Sequence, residues 1–293
     1  MPLRPLRRAL LAALTVLAGC KSDRPADDAA PASAAPPGAS AAATGPAAIT
    51  VTATDFKLEL PARIPEGAVT LNLVNRGKEL HQAQLVKLED GKTMADLEAV
   101  MKQHGPPPAW VKFVGGPNGI APGQETTSTS VLAPGQYAAI CLIPGPDEVP
   151  HTMKGMIQPF EVTAGRSTVR ELSAARDTIK LVDYTFELPA QLTPGHRTIL
   201  VENLGPQPHE VVLLRLAPGK TLQDFAVWAT TGQMKGPPPA MPLGGVAVLD
   251  KGGSGEFSVE LTPGEYGLMC FVPDSKDGKL HLMHGMMKEF KVG

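Results

Sequence analysis

The sequence predicts an all-β protein made of two tandem Greek-key β-sandwich domains, each with one short helix. Three observations lead there. The 293 residues include 30 Gly and 30 Pro, and so high a share of helix interrupters favours short strands joined by turns. Apolar residues alternate with polar ones in short runs, such as Val69, Leu71 and Leu73, which is the period of a half-buried strand. The chain also repeats itself at an interval near 128 residues. That is too long for a stacking unit of a solenoid or propeller, so each copy is expected to be a complete domain.

Composition narrows the function. The formal net charge is −2, with 27 basic and 29 acidic residues, and no polybasic run offers a footprint for nucleic acid. Three cysteines are too few for a disulfide scaffold of this size.

The elements follow in chain order. Residues 1–19 read as an export signal: Arg4, Arg7 and Arg8 precede an apolar run from Ala9 to Leu17 that is too short to span a bilayer. The run closes on Leu17-Ala18-Gly19-Cys20, which resembles the bacterial lipobox. That resemblance implies cleavage before Cys20 and a lipid on Cys20. Residues 20–48 are almost entirely Ala, Pro, Ser, Gly and Thr with a few charges, a composition that cannot bury a core and reads as a disordered tether. The expected location is the bacterial cell envelope, anchored to the lipid membrane through Cys20 and facing the periplasm or exterior.

The first domain is expected over 49–166 and the second over 167–293, joined near Gly165 to Ala174. Asp55-Phe56-Lys57-Leu58-Glu59-Leu60-Pro61 returns as Asp183-Tyr184-Thr185-Phe186-Glu187-Leu188-Pro189, and Asn75-x-Gly77-x3-His81 returns as Asn203-x-Gly205-x3-His209. Further strands are expected around Ala83, Leu85, Val86 and Leu88 and around Phe160 and Val162. Pro134-Gly135 and Pro263-Gly264 mark turns. Each helix is predicted to start at Thr93 or Thr221 as N-cap, with Asp96 or Asp224 closing a capping box. Met94, Leu97 and Met101, or Leu222, Phe225 and Trp228, would face the body, and the triple prolines at 106–108 and 237–239 would end the helix. Trp110, Phe113 and Trp228 read as core or interface filling.

The chemistry lies in a set that recurs in order: His81, Cys141, His151 and Met156, then His209, Cys270, His281 and Met286. Two imidazoles and a thiolate in a plane with a weak axial thioether form a copper site of the blue type, so one copper per domain is expected. Met153 and Met283 compete as alternative ligands. A disulfide between Cys141 and Cys270 is disfavoured, because equivalent positions of two domains do not bring their Cα atoms within about 7 Å.

The paired Asn-x-Gly-x3-His motifs, Tyr137-x3-Cys141 and Tyr266-x3-Cys270, and His-x4-Met before a closing Phe-x-Val strand resemble the cupredoxins, the blue copper proteins such as plastocyanin and azurin. The resemblance covers roughly residues 49–293 and implies a β-sandwich and one-electron transfer through copper, with a redox partner protein. The chain departs from the family in the interval from Cys to the second His, where nine residues intervene in the first copy and ten in the second. A copper-free binding module on the same fold is the alternative. An enzyme is not expected: among seven His, only His104, His196 and His284 fall outside the two sets, and no His-x-His pair is present to build a copper cluster.

Overall fold

The computed structural model describes residues 45–103, 105–165, 171–173, 177–231 and 234–293. The chain divides into residues 1–41 and one compact unit over 42–293. The expected export signal, Cys20, the tether to residue 44, His104 and most of the expected joint near 165–174 lie outside the described residues.

The strands of the first half are β1 (Ala47–Thr54), β2 (Lys57–Glu59), β3 (Arg63–Pro65), β4 (Gly67–Asn75), β5 (Gln84–Leu88), β6 (Val111–Phe113), β7 (Glu125–Leu132), β8 (Gly135–Ile140) and β9 (Ile157–Thr163). Those of the second are β10 (Asp177–Val182), β11 (Thr185–Glu187), β12 (Gly195–Asn203), β13 (His209–Leu216), β14 (Ala240–Leu249), β15 (Ser254–Leu261), β16 (Gly264–Met269) and β17 (Met287–Val292). β1 begins two residues before the expected domain start, because Ala47 and Ala48 already pair with Val69 and Thr70 of β4.

The alternation read from the sequence sets the core. Val69, Leu71 and Leu73 of β4 point inward and meet Leu85, Phe160 and Val162 from the facing sheet, all buried. The second half repeats this with Ile199, Val201, Leu213 and Leu268. One sheet of the first half runs β2-β1-β4-β7, and its counterpart in the second runs β11-β10-β12-β15. In each, the first long strand joins the next in parallel and all other pairings are antiparallel. The facing sheets run β3-β9-β8-β5-β6 and β17-β16-β13-β14.

The two sandwich halves share one of their sheets. β7 pairs antiparallel with its own counterpart β15, so the two inner sheets fuse into one of eight strands. Isolated bridges continue the seam: Val114 with Leu249, Pro117 with Val246, Ile120 with Leu243. Aligning Gly115-Gly116 on Gly244-Gly245 makes Val114 equivalent to Leu243 and Ile120 to Leu249, so these contacts are reciprocal, as across a two-fold axis. The inward Gln84 crosses the seam, accepting from Val248 N–H at 2.7 Å and donating to Val248 C=O at 3.1 Å. Phe113 packs on the second half's core.

α1 (Met94–Met101) and α2 (Leu222–Thr230) each begin on the expected capping box. Leu97, or Leu222 and Phe225, are buried on the outer face of the β5–β8 or β13–β16 sheet, with Met94, Met101 and Trp228 packed beside them. The helices stop before the triple prolines, so proline is not the terminator. Among the described residues no helix is long and apolar enough to cross a membrane.

Candidate metal centre

The Asn-x-Gly turn places the first histidine. Asn75 Nδ2 donates to the carbonyls of Glu79 (2.8 Å) and Ile120 (3.0 Å), while its Oδ1 accepts from Gly77 N–H (2.9 Å). Asn203 does the same with Gln207, Leu249 and Gly205. These bonds curl the chain so that the next strand enters with His81 or His209 facing inward. Glycine is required for a steric reason: a Cβ on Gly77 would stand 2.5 Å from His81 Nε2, and one on Gly205 would stand 2.6 Å from His209 Nε2.

The cysteine directly follows β8 or β16, and the second histidine begins a single 3-10 turn, His151–Lys154 or His281–His284. The long Cys–His interval folds out as its own small loop. His151 N–H donates to Ile143 C=O at 3.0 Å and Thr152 N–H to Cys141 C=O at 2.9 Å. In the second half, His281 bonds Val272 at 2.9 Å and Leu282 bonds Cys270 at 3.0 Å. The extra residues therefore leave Cys and His as close neighbours. Met156 N–H then donates to His151 C=O and Met286 N–H to His281 C=O, each at 3.0 Å, closing the turn onto the methionine.

The sequence set converges in both halves. Cys141 Sγ lies 4.0 Å from His81 Nδ1 and 3.5 Å from His151 Nδ1, and the two Nδ1 atoms are 3.1 Å apart. Cys270 Sγ lies 3.9 Å from His209 Nδ1 and 3.4 Å from His281 Nδ1. Three donors around one ion, with bonds of roughly 2.0–2.3 Å, stand about 3.6 Å from one another. These spacings therefore suit one metal ion in each set. All six donor residues, with Met156 and Met286, are wholly buried. Met153 is half-buried and Met283 is 58% exposed, so burial favours Met156 and Met286. Cys141 and Cys270 are free thiols, each within its own cluster.

Outer residues that the sequence reading passed over orient the rings. Asp55 takes His81 Nε2 at 2.9 Å, Glu79 takes His151 Nε2 at 2.8 Å, and Asp183 takes His209 Nε2. A carboxylate on Nε2 keeps the proton there and turns the Nδ1 lone pair inward. In the first half two such lone pairs face each other beside a thiol, an arrangement that a cation relieves. Asp55 and Asp183 stand in the repeated Asp-aromatic motif, which as a sequence pattern shows only the repeat. The second half has Gln207 where Glu79 stands, and His281 Nε2 lies 3.8 Å from Asp274 with no hydrogen bond. Asp274 is held by Tyr184 Oη at 2.6 Å and Gln207 Nε2 at 2.9 Å, and these donors hold its carboxyl well below the usual range. Phe56 covers His151 with ring centres 5.1 Å apart, and Tyr184 covers His281 at 5.4 Å.

Burial sets the protonation. It pushes the Cys141 thiol up to about 12 and the Cys270 thiol higher still, and it lowers His81, His151 and His209. His281 falls to about 4 through burial and the neighbouring His209. The imidazoles are thus neutral and ready to bind, and the thiol would have to lose its proton to solvent on binding a metal. Backbone support for a thiolate is present, since Gln82 N–H points to Cys141 Sγ at 3.5 Å. Replacing Asp55 by Asn is expected to weaken metal binding in the first half by roughly 10–100-fold and leave the second unchanged. Competition against a chelator, half by half, measures this.

No known family profile matches the chain, and neither does any curated protein sequence. Solved structures do match. Dithionite-reduced auracyanin from Roseiflexus castenholzii is 20% identical over 41% of this chain and 99% of its own, with a TM-score of 0.30. Auracyanin A, a blue copper protein from Chloroflexus aurantiacus, is 16% identical over 41% of this chain and 100% of its own, TM-score 0.30. The copper-containing nitrite reductase of Thermus scotoductus is 12% identical over 84% of this chain and 61% of its own, TM-score 0.24. The expectation that the chain is not an enzyme is corrected here, because the matched structures include this reductase and a multicopper oxidase.

Proposed function

We propose that the protein is an exported copper protein that takes one copper in each half, residues 49–166 and 167–293, and passes single electrons to a redox partner. The observation that carries this is the duplicated His-Cys-His cluster, wholly buried, with donors 3.1–4.0 Å apart and a buried Met beside each. Copper would supply one-electron chemistry there. His81, Cys141 and His151 would hold it in the first half and His209, Cys270 and His281 in the second, with Met156 and Met286 as the thioether donors. The protein's own part is to keep these donors fixed between two sheets, so that little has to move when the charge at the centre changes. It also excludes water, and carboxylates hold the protons of His81, His151 and His209 on Nε2, away from the metal.

Titration of the full chain with copper should reach two equivalents, with a strong visible thiolate band. Fewer than half an equivalent would leave the copper-free module as the reading.

The envelope location and the lipid on Cys20 belong to the same proposal and are supported by the signal and tether composition. Cys20→Ala is expected to release the protein from membranes or block its processing. Unchanged membrane fractionation of that variant would overturn the anchor.

A further inference from the structure

The two centres are not supported alike. Glu210 follows His209 in β13, and its carboxylate is buried with the residue 5% exposed. Its Oε1 accepts the backbone N–H of Phe271, the residue after Cys270, at 2.9 Å. Its Oε2 accepts Asn118 Nδ2, from the first half, at 2.9 Å. Asn118 is 1% exposed, donates also to the carbonyls of Val211 (3.0 Å) and Val246 (3.3 Å), and accepts from Gly119 N–H at 2.8 Å. One carboxylate therefore ties the His-bearing strand to the Cys-bearing segment, and the other half of the protein holds that carboxylate in place. The reciprocal arrangement is missing from the sequence. Gln82 stands at the position of Glu210, and Ala247, whose side chain has no donor, at that of Asn118.

We propose that Asn118 is a positioning residue for the second metal centre, acting through Glu210 to fix the spacing of His209 and Cys270, with no counterpart serving the first centre. Without Asn118 one oxygen of a buried carboxylate loses its donor, and such an orphan is costly enough to make the side chain turn away. The Phe271 amide then loses its acceptor, and Cys270 is freed relative to His209. For its effect on copper this inference rests on the copper reading, whereas the brace itself needs no metal.

The test uses the full chain. In the metal-free protein, hydrogen exchange of the backbone amides over 270–272 is compared with that over 141–143. Asn118→Ala is expected to speed exchange about tenfold in the first segment and leave the second within twofold. Equal change in both segments, or none, would overturn the brace. Glu210→Ala provides the check on mechanism and a reference where Asn118→Ala folds poorly. The double variant should exchange no faster than Glu210→Ala alone, and additive effects would show that Asn118 does not act through Glu210. Copper competition is then run in Cys141→Ala and Cys270→Ala backgrounds. Asn118→Ala should weaken the second centre about tenfold or more and the first less than twofold. If neither centre takes copper in the unaltered chain, the copper reading fails, and the exchange result still decides the brace.

Discussion

On the copper reading, Cys141→Ala is expected to abolish the visible thiolate band of the first half and leave that of the second intact, so that the full chain keeps half of it. The thiolate is the one charged donor in the set and the source of the band, so no rearrangement of His81, His151 and Met156 replaces it. The second half is spared because its cluster has its own Cys270. The same thiol sets the pH dependence. Burial holds Cys141 protonated up to about 12 in the metal-free protein, and the lowered imidazoles are already neutral at pH 7. Metal uptake at each centre therefore releases one proton, and apparent affinity should rise about tenfold per pH unit between roughly pH 7 and 9. Affinity measured against a chelator across that range checks it, and a flat profile would mean that the thiol does not bind.

Gly245→Val is expected to cost more than about 3 kcal/mol of stability, from overpacking together with the penalty for a positive φ. Gly245 lies in β14 with φ of 114°, and a Cβ there would run into the carbonyl oxygen of Val211. That atom is backbone within a paired strand and cannot step aside. Its partner by symmetry, Gly116, meets the carbonyl oxygen of Ala83 in the same way with φ of 109°. Because both glycines sit on the seam between the halves, the loss should appear as one cooperative transition of the whole 42–293 unit. Urea unfolding followed at both centres tests it. Gly105→Val, at a position with open space around it, should stay within about 0.5 kcal/mol.

Much of this was legible beforehand, for particular reasons. The helix starts were readable because Thr93 with Asp96 and Thr221 with Asp224 satisfy orphan amides locally. The strands were readable because Leu71 and its neighbours alternate. The donor set was readable because it recurs in order. The fusion through β7 and β15 was not, since edge pairing uses backbone groups that every sequence carries. Thr127, Ser128 and Thr129 suit a solvated edge as well as a paired one. Nor was the asymmetry of the outer residues legible. Glu79 and Gln207 differ by one atom, and only the fold shows that the change leaves His281 Nε2 without a carboxylate in reach of a hydrogen bond.

The seam through β7 and β15 also bears on what the protein must avoid. Either half alone would expose a strand of eight residues whose free amides and carbonyls invite pairing with any other chain. Mating them over Thr127–Thr129 and Glu256–Ser258 covers the middle of both edges at once. The eight-stranded sheet is left with β2 and β11 as its outermost strands, each of three residues. Lys57, Glu59 and Glu187 place charge on those short rims, which discourages further growth of the sheet. Duplication thus gives the chain self-protection against aggregation as well as a second metal centre.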